Sequence, residues 1–221
     1  TTTTDGKTGG KLSLMSGKSA KTSSGDIAIA TANGGTDGVS GRVDITSGKS
    51  TEGVSGLMSL SSGQAVDGNS GAILIGTGVA SGASGAITIS GGTGSGADAG
   101  ALTLSGGAVA TNNHKGGNVA ITSGQSAVTS SGDITIASAN GGSGTAVSGT
   151  LTLSTGDSGN SGGSGNSGSI VFSTGKGVSS GLLALSSGPS VGSQSGDVLI
   201  GTGDSSNSVS GDIKIIPGAS L

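Results

Sequence analysis

Apolar and polar positions alternate along this chain in one short phrase. Gly132-Asp133-Ile134-Thr135-Ile136-Ala137-Ser138-Ala139 shows it best: glycine, any residue, aliphatic, any residue, aliphatic, any residue, Ser or Thr, then Gly or Ala. The phrase occurs fourteen times, with opening glycines at 10, 25, 41, 56, 71, 85, 100, 117, 132, 149, 168, 181, 196 and 211. The step between them is most often 15 residues. Every copy carries an aliphatic or aromatic residue at both apolar positions, from Leu12 and Leu14 to Ile213 and Ile215.

Alternation at period two predicts a strand whose two aliphatics and following Ser or Thr share one face. Gly, Ser, Asn and Asp between the phrases predict turns. A strand every fifteen residues fits either a meander or a coil. The coil is favoured because equivalent positions repeat by identity, which lets Ile lie over Ile and Ser or Thr over Ser or Thr. The predicted fold is therefore all-β: a single parallel β-solenoid of about 14 turns with ~15 residues per turn. Its hand is left open.

Residues 1–9 read as a polar lead-in and 10–221 as one continuous solenoid in two duplicated blocks, about 10–116 and 117–221. The blocks share more than the phrase. Ser23-Ser24-Gly25-Asp26-Ile27 returns as Ser130-Ser131-Gly132-Asp133-Ile134, 107 residues later. Ile73-Leu74-Ile75-Gly76-Thr77-Gly78 returns as Val198-Leu199-Ile200-Gly201-Thr202-Gly203, 125 residues later. The larger offset places an extra turn near Gly168, after a loop at 157–167 expected to bulge outward. Neither end carries an obvious cap, so copies are expected to stack end to end.

Composition changes the picture in one respect. Fifty glycines, no Trp, no Tyr and a single Phe suit a disordered chain better than a globular one. The strict phrase argues against disorder. The net charge is -3 with scattered ions, so there is no basic stripe for nucleic acid, and stacking aromatics are missing. No apolar run approaches the roughly 20 residues of a membrane span. Without cysteine there are no disulfides and no thiolate metal sites.

Candidate chemistry is sparse. His114 is the only histidine and lacks evident partners. The stretch around Gly94 and Asp98 has glycine and aspartate in a turn, but the pattern does not recur as a calcium-binding repeat would. Asp26, Asp133, Asp197 and Asp212 share the position after the opening glycine and read as solubilising charges. Glycine is too frequent here for any phosphate loop to stand out. No catalytic, cofactor or metal site is predicted. The candidate contact residues are Leu57, Leu74, Leu182 and Leu199, expected on the outward side and repeated in both blocks, as a lateral contact between copies.

Two resemblances bear on function. Outward residues such as Thr88, Thr103, Thr135 and Thr152 make a face that resembles the ice-binding surface of antifreeze β-solenoids, which implies an ice-binding alternative. From Gly10 to Ile215 the chain more broadly resembles the Ser-Gly-x-φ-x-φ-x-Ser/Thr-Gly repeats of large secreted algal proteins, diatom-like in style. That resemblance implies an extracellular, non-enzymatic structural role in a wall, fibre or adhesive. It also implies self-association and a cell-wall or mineral surface as partner. A third alternative, a polysaccharide-processing β-helix, would want aromatics and paired carboxylates, which the chain lacks.

Overall fold

The computed structural model describes residues 8–110, 114–158, 166–206 and 208–219. Among them there is neither a helix nor a β-strand. This overturns the expected all-β parallel β-solenoid. The bulging loop expected at 157–167 falls largely outside the described residues, as does most of the lead-in.

The measure of the difference is surface. The chain exposes 21807 Å². At 20.0 kDa, a folded monomer would expose about 8,700 Å² and the fully unfolded chain about 29,000 Å². No described side chain is buried, apolar or polar. The physical reason lies in the repeat itself. Each step of about fifteen residues brings two sizeable apolar side chains on one side of its phrase and few others, while glycine maximises the backbone entropy lost on ordering.

What the chain does instead is pinch its loops shut. The residue six places after an opening glycine returns to lie against the next opening glycine. A β-carbon placed on Gly25 would lie 3.6 Å from the Ser16 Cβ, and one on Gly132 would lie 3.7 Å from the Ser123 Cβ. The same approach links Gly56 to Ser47, Gly149 to Ser138, Gly181 to Thr174 and Gly211 to Thr202. At some joints the backbone closes the loop as well. The Gly25 amide donates to the Gly17 carbonyl (3.0 Å), Gly100 to Gly92 (3.0 Å), Gly117 to Gly107 (2.8 Å) and Gly132 to Gly124 (3.0 Å). A fifteen-residue coil would pair each residue with its copy one full repeat away. Here the neighbours lie much closer in sequence, so loops form where turns of a coil were expected.

Two joints need glycine outright. Phrases six and seven end in Gly91 and Gly106 where the others have Ser or Thr, except the last, which has Pro217. A β-carbon at Gly91 would sit 2.1 Å from the Gly100 carbonyl oxygen, and one at Gly106 equally close to that of Gly117. No L-residue side chain fits such an approach.

The chain divides into two units, Thr1–Leu104 and Ser105–Leu221. Both are built the same way, from alternating phrases separated by pinched loops. Alternation survives without a sheet. Leu74 is 95% exposed while Ile73 and Ile75 beside it are 50% and 63% exposed; Leu199 shows the same contrast between Val198 and Ile200. The joints provide the partial cover. First aliphatics lying after a joint are 49–57% exposed, whereas Leu12, which precedes the first joint, is 94% exposed. At the other end the second aliphatic Ile215, which no further joint follows, is 93% exposed, against 57–75% for the second apolar residues of the other phrases.

Candidate functional site

Two features stand out from this arrangement: the apolar phrases and a pair of matching loops. The loops run through 16–25 in the first unit and 123–132 in the second. In the first, Ser19 Oγ accepts from the Thr22 amide at 3.0 Å and the Lys21 amide at 3.3 Å, and the Ser19 and Thr22 hydroxyls share a bond of 2.8 Å. In the second, Ser126 Oγ accepts from the Thr129 amide at 2.9 Å and the Val128 amide at 3.3 Å, and its hydroxyl pairs with that of Thr129 at 2.9 Å. A serine hydroxyl thus caps a tight turn within a loop that a backbone hydrogen bond closes at its ends. The same device recurs in part at Ser50, which accepts from the Gly53 amide (3.0 Å), and at Ser205, which accepts from the Ser208 amide (3.1 Å). Ser16, Ser19, Ser123 and Ser126 are half-buried, and every other described residue is more exposed than these.

The sequence reading matched these blocks from Ser23 and Ser130 onward and missed the seven residues before. The signal was there: Ser-Gly-x-Ser-Ala-x-Thr precedes both matches, with Lys18 and Lys21 in one loop and Gln125 and Val128 in the other.

The expected lateral contact stands differently. Leu57, Leu74, Leu182 and Leu199 are each 88–95% exposed, so none shields another. The first two belong to one unit and the last two to the other. Their expected placement as two patches on one face required the solenoid and goes with it.

The remaining polar candidates are dispersed. His114, Asp26, Asp133 and Asp197 are exposed. Asp212 pairs with Lys214 at 3.4 Å and Asp44 with Arg42 at 2.5 Å, both pairs on the surface. In each pair the partners stand two residues apart, on the same side of an alternating phrase. Among the described residues no three His, Cys, Asp or Glu come together as a metal site would need. Thr88, Thr103, Thr135 and Thr152 are not held in ranks, since no sheet orders them among the described residues. No helix among these residues is long and apolar enough to cross a membrane.

No protein-family model, characterised protein or solved structure matches the chain. Its function has to be read from its own surface.

Proposed function

We propose that this chain is a non-enzymatic structural repeat segment of an extracellular wall, fibre or adhesive, and that it works by associating with copies of itself. The observation that carries the reading is the open apolar surface. Pairs of aliphatics recur at near-constant spacing, and all of them stay about half exposed or more, with no core among the described residues. Apolar area left in water drives association wherever it can be removed. The loops between the phrases are mostly short, carry at most two charges each and are rich in Ser and Gly, so they act as spacers between the phrases. The likeness in repeat style to secreted algal proteins points to the same setting.

Sedimentation velocity at rising concentration, with negative-stain images of the same samples, tests this. Concentration-dependent growth into large assemblies is the expected outcome. A chain that stays monomeric up to millimolar concentration overturns it.

A further inference from the structure

If the chain assembles, its phrases are not equally fit to begin the process. Most are unsuited to lie on a copy of themselves. Stacking identical segments in register places identical charges over one another, and Asp26, Arg42, Asp44, Asp133, Asp197, Asp212 and Lys214 all stand inside phrases. Others put Ser, Thr or Ala on one side and leave a single apolar side. Four phrases escape both objections, those with Leu57, Leu74, Val171 and Leu182 on the other side, and one of the four also holds the chain's single Phe. Ser169-Ile170-Val171-Phe172-Ser173-Thr174 has three consecutive large apolar residues, no glycine, no proline and no charge. Ile170, Val171 and Phe172 are 49%, 78% and 61% exposed, so apolar surface lies open on both sides of the phrase. No backbone hydrogen bond joins these six residues to another described residue. Pairing with a second chain would give their amides and carbonyls partners.

From this we infer that residues 169–174 are the nucleating contact of self-assembly, and that the partner is the same segment of a second copy. The inference rests on the self-association proposed above and names where it starts. The chemistry of the segment selects a copy over other partners. A short segment of high β-propensity with no charge forms paired ladders in which like side chains interdigitate. Phe172 is the only aromatic residue of the chain. An aromatic ladder therefore cannot form within one molecule and requires Phe172 of another. The nearest equivalent, Ala72-Ile73-Leu74-Ile75, lacks the aromatic and runs into Gly76. Its counterpart in the second unit begins with Asp197. Both are weaker starting points on the same physical grounds.

The test uses the whole chain and two variants of equal charge change, Val171→Lys and Thr152→Lys. Each places a lysine between the two aliphatics of its phrase. Assembly is followed by light scattering and by thioflavin fluorescence. V171K is expected to lengthen the lag by on the order of tenfold, because every added copy then stacks a like charge. T152K is expected to leave it within about twofold, its phrase not being the nucleus. A second readout uses the single aromatic. With the Phe ring carbon-13 labelled, magnetisation exchange in the solid assembly should report rings about 4.8 Å apart on neighbouring copies. Equal lags for both variants, or an assembled wild type with no ring-to-ring exchange, overturns this site while leaving self-association standing. A wild-type chain that never assembles overturns both.

Discussion

The two kinds of segment in this chain hold their order in opposite ways. The loops at 16–25 and 123–132 contain few apolar groups, yet among the described residues they carry the densest side-chain hydrogen bonding and the only half-buried side chains. The phrases carry most of the large apolar side chains and, among the described residues, no hydrogen bond across their middles. Short-range polar contacts close over a few residues at a small entropic cost. Apolar pairing across fifteen residues has to order the whole intervening loop first. The isolated chain thus satisfies its local polar geometry and leaves its apolar phrases to be covered by something outside itself.

The largest consequence is global. With no core among the described residues there is no cooperative unit to melt. Calorimetry of dilute, unassembled protein is expected to show no sharp unfolding peak, with a heat-capacity change well below the usual value of about 12–15 cal/mol/K per residue. A sharp two-state transition in the monomer would place a buried core among the phrases and reverse the comparison.

A smaller effect separates joints that need glycine from those that tolerate a side chain. Gly106→Ala puts a methyl group against the Gly117 carbonyl, while nothing lies within 4 Å of the corresponding position at Gly63. The Gly117 amide, bonded to the Gly107 carbonyl, is expected to exchange its hydrogen on the order of tenfold faster in G106A. Gly63→Ala should leave the exchange pattern as it was. Identical behaviour of the two variants would mean that the joints are not closed in solution.

The smallest effect concerns a single hydroxyl. Ser126→Ala removes the acceptor for the Thr129 and Val128 amides. Exchange at the Gly132 amide, which closes that loop, should rise by roughly two- to fivefold. Ser19→Ala should do the same to Gly25, since the two loops use the same turn. Unequal responses would assign part of the closure to Lys18 and Lys21, which the second loop lacks.

Legibility varied with the range of the interaction. The alternation of sides within a phrase could be read directly, and it appears in the contrast of Leu74 with Ile73 and Ile75 and in the surface pairs Arg42–Asp44 and Asp212–Lys214. The glycine-to-Ser/Thr joints were present in the phrase as positions, but their partnership was not. Identity of residues at equal spacing suggested stacking, and the same identity is equally consistent with loops that each close on themselves. The leucines at 57, 74, 182 and 199 could be recognised as outward, whereas their grouping depended on a fold that did not form.

The amino-acid sequence by itself determined the phrase, its period, the duplication and the side on which each residue stands, because these follow from chain chemistry over two to seven residues. Only the tertiary structure decided what each phrase lies against. That choice depends on whether two aliphatic side chains can offset the ordering of a long Gly- and Ser-rich loop. Here they do not, and each phrase meets the end of the one before it at a pinched joint while its apolar side remains open to water.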